Sequence, residues 1–320
     1  MTDFHGPLAE QLTLFVAFKQ SLGFKYTGEV TMLRRFDRWT QTQPSSHGTL
    51  TEALVSGWLQ RGVLEGERTL YGRTSLMRQV GLYLNTVGQP AYIPEPLAGN
   101  RHYTFVPHIF TDHELNRLFA EADRVTAPRP STLPAVLPVL LRLLYGCGLR
   151  VSEALGLALE DLDWTNQTLI IRGSKFGKDR VIPMSPSMAA VFQEYVHRVH
   201  PESPSSAWIF GHRDGGQISA DNVYRRFRDM LWYAGIPHLG KGQGPRVHDL
   251  RHTFAVHTLK AAIDRQVDIH AMLPVLSAYL GHASVAATEQ YVRLTADAFP
   301  ELQQTLDRTT GWVIPEVAWE

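Results

Sequence analysis

Cysteine is nearly absent: Cys147 is the single one among 320 residues, so no internal disulfide framework holds this chain and a reducing compartment is the expected setting. Set between Gly146 and Gly148 in an apolar run, that thiol reads as a small buried side chain rather than a reactive one. Net charge is missing too, because 31 Lys and Arg balance 31 Asp and Glu. A broad basic surface is thereby argued against, and any phosphate contact must come from local clusters. Residues 299–320 hold four acidic groups and one basic group, which leaves +3 on the remainder. The opening Met1-Thr2-Asp3-Phe4-His5 has neither the basic nor the apolar part of a secretory signal, and a cytoplasmic location follows as the expectation. Long hydrophobic runs are scarce. The nearest, Leu133 to Leu159, is interrupted by Arg142, Arg150 and Glu153, which predicts a buried helical hairpin and no membrane span.

What the chain does have is length and apolar residues (44%), enough for two domains with separate cores. Over residues 8 to 90 the apolar spacing is helical: Leu12, Phe15, Val16 and Phe18 begin one helix, Val30, Leu33, Phe36 and Trp39 line a second, and Leu70 to Val87 supplies another. Pro94, Pro96, Gly99 and Asn100 then mark an irregular connection between domains. Thr111-Asp112-His113-Glu114 starts a helix as a capping box. Two short β-rich runs, Thr168 to Arg172 and Arg180 to Met184, are joined by the basic hairpin loop Gly173-Ser174-Lys175-Phe176-Gly177-Lys178-Asp179. Helices resume near Met188 to His200. Ser219 caps a further one that carries Arg225, Arg226 and Arg228, and more run from His248 to Tyr291.

Chemistry concentrates in three segments: Gly148-Leu149-Arg150-Val151-Ser152-Glu153, His248-Asp249-Leu250-Arg251-His252, and Leu280-Gly281-His282 followed nine residues later by Tyr291. Two arginines that keep their charge, two histidines and a tyrosine are what attack on a phosphodiester without a metal requires. Spacing adds that His248 and Arg251 share a helix face, and that Glu153, one turn past Arg150, can orient its guanidinium or else stand as an ordinary solvated carboxylate. His248, His252 and His257 could also be read as a zinc set, but no cysteine or carboxylate completes it.

This order and spacing resemble the tyrosine recombinase (phage integrase) family over about residues 108 to 298. The resemblance implies a mainly α fold with a small antiparallel β-sheet. It divides the chain into an N-terminal helical, SAM-like core-binding domain at 1–98, a linker at 99–107, a catalytic domain at 108–298, and a tail at 299–320 that contacts a neighbouring subunit or folds back on its own domain. It also implies residue roles. Tyr291 would be the nucleophile, Arg150 and Arg251 would clamp the scissile phosphate, His248 would move the tyrosine's proton, and His282 would bond a phosphate oxygen. The acid for the leaving 5′ oxygen would be Lys175 on the hairpin, with Lys178 as competitor. The expected substrate is double-stranded DNA, cut through a 3′-phosphotyrosyl link with no metal or nucleotide cofactor, by a tetramer on two duplexes in the nucleoid. Lys178, Arg180, Arg225, Arg226, Arg228, Lys241 and Arg246 are the expected DNA contacts. A type IB topoisomerase shares the chemistry, and a catalytically silent DNA-binding protein shares the scaffold, so both remain alternatives. Between His257 and Leu280 the chain is several residues longer than in compact Xer-type members.

Overall fold

The computed structural model describes residues 4–43, 48–63, 65–97, 106–127, 130–173, 179–238, 244–282 and 284–298. The chain divides into two compact units, Met1–Phe105 and Val106–Glu320. Most of the expected linker lies in 98–105, outside the described residues.

In the first unit, α1 (Ala9–Ser21), α2 (Thr27–Thr40), α3 (Glu52–Leu59) and α4 (Glu67–Thr86) enclose one apolar core. Val30, Leu33 and Phe36 recur every three residues on α2, which turns one face inward and explains why that helix was legible in the sequence. Thr51 caps α3 by accepting from the Leu54 N–H. Phe18 differs from expectation: it is exposed and stacks on Tyr83, with ring centroids 5.2 Å apart. It follows Phe15 by three residues, but the inward stripe of α1 is already filled by Leu12, Phe15 and Val16.

The second unit is built around α6 (Leu133–Gly146), apolar on nearly every side and therefore central. It packs against α5 (Asp112–Asp123), α8 (Pro186–Val199) and α10 (Asp249–Asp264). Both arms of the capping box that starts α5 are present: Thr111 accepts from the Glu114 N–H, and Glu114 accepts from the Thr111 N–H. A one-turn helix, α7 (Val151–Leu155), follows α6. The sheet has three antiparallel strands in the order β1 (Leu162–Asp163), β2 (Thr168–Ile171), β3 (Arg180–Pro183), so one short strand joins the two that the sequence indicated. Leu169 pairs with Ile182 and Ile171 with Arg180.

Beyond α8, Ser219 caps α9 (Ala220–Tyr233). The helical run to Tyr291 is three helices, α10, α11 (Ile269–Leu280) and α12 (Ala286–Ala298). Ala255, Val256, Leu259, Leu273, Leu276 and Leu280 form a satellite core that includes Tyr291. The extra length after His257 extends α10, turns at Arg265 and enters α11 through the Asp268 cap. Among the described residues, no helix is long and apolar enough to cross a membrane.

Candidate active site

Two glycines with left-handed backbone set the arginines. Gly148 has φ +58°, and a Cβ there would stand 2.4 Å from the Phe254 ring, so only glycine fits between α6 and α10. Its carbonyl accepts from Arg251 Nη1 at 2.8 Å. Gly281, φ +67°, ends α11, and a Cβ would meet the Arg180 guanidinium at 2.9 Å. Its carbonyl faces Arg150 Nη2 at 3.4 Å. Arg251 is fixed further by the Leu280 carbonyl, 2.7 Å from its Nη2.

Glu153 joins three guanidinium groups. Arg150 Nη1 donates to its Oε1 at 2.6 Å, and the Arg150 N–H donates to Oε2 at 3.0 Å. Arg180 donates from Nη1 and Nη2 at 3.0 and 2.8 Å, and Arg251 Nη1 lies 3.9 Å away. Burial pushes the Glu153 carboxyl up, but the Arg180 and Arg150 hydrogen bonds and their charges overcome it and hold the group at about 2. Among the described residues, three guanidinium groups thus share one carboxylate.

Arg180 corrects the sequence reading. It was expected on the DNA-contacting surface, yet its side chain is 11% exposed and its Nε donates to the Tyr279 carbonyl at 3.0 Å. Strand alternation is the reason: Arg180 lies two residues before buried Ile182, on the same inward face of β3, while Val181 points out.

Tyr291 is 1% exposed. Burial raises its phenol by more than the nearby Arg251 and Arg150 charges lower it, so the group stays above its ordinary value. His282 stacks on the Tyr291 ring at 6.0 Å and its Nδ1 lies 2.8 Å from Thr288 Oγ1. The group at the Tyr291 hydroxyl is His252, with Nδ1 3.0 Å from the oxygen. His248, to which the resemblance gave the tyrosine's proton, instead meets the His252 ring edge-on at 4.7 Å and feels the Arg251, Arg150 and Arg246 charges. Burial and then these cations depress all three imidazoles, His248 and His282 to about 4 and His252 to about 3. Burial also lowers Arg251, to about 10, which leaves it charged at neutral pH.

His252 is thus the site residue that the sequence reading missed. The signal was present, since it follows His248 by one helical turn and shares its face of α10. His257, weighed for zinc, is instead 2.9 Å from the Tyr145 hydroxyl, and no three His, Cys, Asp or Glu side chains among the described residues are grouped to hold a metal.

Of the other expected contacts, Arg225 and Arg228 are exposed on α9, and Arg226 lies 3.7 Å from Asp229. Arg246 donates through its N–H and Nη2 to buried Asp249 at 2.9 and 3.2 Å. Arg228, Arg246 and His248 line one cleft of about 490 Å³ together with Tyr224, Phe227 and His238. Lys175, Lys178, Lys241 and the tail at 299–320 lie outside the described residues.

A helical unit with a small sheet at its side, in which arginines and histidines surround a buried tyrosine, defines an enzyme of tyrosine-dependent phosphoryl transfer. Residues 108–297 match the phage integrase family model, and the chain belongs to that family, the tyrosine recombinases, which cleave and rejoin DNA. It is 29% identical over 300 residues to a Sinorhizobium fredii protein, y4rB, described as an integrase/recombinase, with 92% of this chain and 95% of that one covered. It is 32% identical over 201 residues to tyrosine recombinase XerA of Pyrococcus furiosus, covering 57% of this chain and 65% of that one. Among solved structures, the Tn1549 transposon integrase in complex with a circular intermediate DNA shares the fold, with a TM-score of 0.63 at 17% identity over 92% of this chain and 99% of that one. XerH bound to a palindromic difH substrate has a TM-score of 0.60 at 18% identity, covering 88% and 77%.

Proposed function

We propose that this chain is a site-specific recombinase whose nucleophile is Tyr291. The phenolic oxygen attacks the scissile phosphate, an Oη–P bond forms as the P–O5′ bond breaks, and the 5′ oxygen leaves with a proton from Lys175, or from Lys178 if that lysine is the acid. Arg150 and Arg251 cover the non-bridging oxygens and His282 bonds one of them. The ester stores the energy of the broken bond, so the 5′ hydroxyl of a partner strand reverses the step without a nucleotide. The first unit acts as a core-binding domain that contacts the duplex. Arg225, Arg226, Arg228, Lys241 and Arg246 contact the DNA backbone. The working assembly is a tetramer on two duplexes, in the nucleoid.

The observation that carries this reading is the charge of the site. Three guanidinium groups share one buried carboxylate beside the tyrosine, so the centre keeps a surplus of two positive charges, and a phosphodiester offsets one of them. The DNA-bound Tn1549 and XerH relatives support DNA as the source of that phosphate.

The test begins with sequencing of DNA ends trapped covalently on the protein in cells, from which a nicked suicide duplex is made. Wild-type protein forms a denaturant-resistant adduct on it. Tyr291→Phe forms none while still binding the duplex, and EDTA leaves the wild-type yield unchanged. An adduct from the Phe variant removes Tyr291 as nucleophile, and loss on chelation that zinc or magnesium restores overturns the metal-free mechanism.

A further inference from the structure

We propose that His252, rather than His248, receives the proton of Tyr291 during strand cleavage. The inference rests on the nucleophile assignment above and adds the group that activates it. Its Nδ1 stands 3.0 Å from the Tyr291 hydroxyl, within direct transfer distance, and the two rings lie 5.6 Å apart. His248 meets the His252 ring at 86°, and among the described residues it makes no hydrogen bond to Tyr291.

Arg251 donates from Nη1 and Nη2 to the Gly148 and Leu280 carbonyls and acts on the phenol through its charge, which leaves His252 Nδ1 as the partner to which the phenolic O–H donates in the reactive arrangement. His252 then carries its hydrogen on Nε2 and offers Nδ1 as acceptor. The charged and titratable groups facing it are His248 and Arg251 on α10, Arg246 just before α10, His282 ahead of α12, and Tyr291 on α12. Burial and these neighbours keep the imidazole neutral at rest, near 3. A phosphate seated between Arg150 and Arg251 cancels part of that positive field. His252 thus becomes a stronger base when DNA is in place, and the nucleophile is not ionised beforehand.

The step balances. As Oη–P forms and P–O5′ breaks, the phenolic O–H bond breaks and its proton moves to His252 Nδ1. The departing O5′ takes a proton from the hairpin lysine, so the protein ends the step one proton short, that proton now being on the 5′ hydroxyl, and the attacking 5′ hydroxyl gives it back on religation. Religation returns the His252 proton to Oη.

The experiment measures single-turnover adduct formation on the nicked suicide duplex, with either tyrosine or the more acidic 3,5-difluorotyrosine at position 291. His252→Ala and His252→Gln slow the tyrosine enzyme by about 10²-fold or more. Glutamine can hold the phenol but cannot take its proton, so it keeps the melting temperature near wild type without restoring the rate. With difluorotyrosine, which loses its proton to solvent, both variants come within about tenfold of their parent. His248→Ala is slowed equally with either tyrosine. A His252→Gln enzyme within about threefold of wild type, or a defect of the same size with both tyrosines, overturns the assignment. Adduct formation by Tyr291→Phe would instead remove the nucleophile, which tells the two failures apart.

Discussion

Two buried carboxylates, one in each unit, behave in opposite ways. Asp37, 3% exposed on α2, accepts from the backbone N–H groups of His5 and Gly6 at 2.9 and 2.8 Å and from Gln41 Nε2 at 3.2 Å. Its donors are neutral dipoles of the chain itself, and it ties the amino-terminal segment to the helix bundle. Glu153, with a side chain 6% exposed, faces guanidinium groups from three separate elements. One carboxylate cannot neutralise three cations, so the positive surplus remains until an external anion arrives. Burial alone therefore marks neither site as functional; the charge left over after pairing does.

The largest expected effect breaks the second arrangement. Glu153→Gln leaves Arg150, Arg180 and Arg251 facing each other with no anion, at a cost of about 3–5 kcal/mol in unfolding free energy. Because the folded carboxyl sits at about 2, below its ordinary 4.5, its stabilisation is present above pH 4.5 and is lost as pH falls toward 2. Chemical denaturation as a function of pH should show the gap between wild type and variant closing over that window. A gap that stays constant would mean that Glu153 acts by shape and not by charge.

Arg251→Lys comes next. Lysine keeps the charge but cannot hold the Gly148 and Leu280 carbonyls with a planar fork while facing a phosphate. Adduct formation should fall by about 10²–10³-fold with duplex binding retained. Full activity in the lysine variant would show that charge alone suffices. Asp37→Ala is the smallest and sharpens the contrast: two backbone N–H groups lose their acceptor, which lowers stability by about 1–3 kcal/mol. Adduct formation per folded, DNA-bound molecule should not change. A catalytic defect there would mean that the first unit contributes to the chemistry.

Much of the fold was legible because local rules agree with the tertiary outcome. The three-residue spacing on α2, the capping box at Thr111 and the Ser219 cap are complete within a few residues of sequence. Arg150, Glu153, His248, Arg251, His282 and Tyr291 come from separate segments and stand together, and Gly148 and Gly281, which flank these motifs, hold Arg251 and Arg150 by their carbonyls. Less legible were the residues whose meaning depends on a partner far along the chain. Arg180, at the start of the second β-rich run, read as a DNA contact until β3 turned it toward Glu153, 27 residues away, and Tyr279, 99 away. His252 looked like a neighbour of the motif until α12 brought Tyr291 to it from 39 residues downstream.

By itself the sequence determined the inventory: which side chains carry permanent charge, which can exchange a proton, where helices start, and where a glycine must relieve the backbone. These are properties of single residues and of spacings within one turn, and they hold before the chain folds. The tertiary structure alone decided which cation faces which anion and which histidine meets the tyrosine. Such pairings depend on distances of about 3 Å between segments far apart in the chain, and both hydrogen bonding and proton transfer fail within an ångström or so of that separation. A spacing along the chain carries no information at that scale until α10, α11, α12 and β3 have packed.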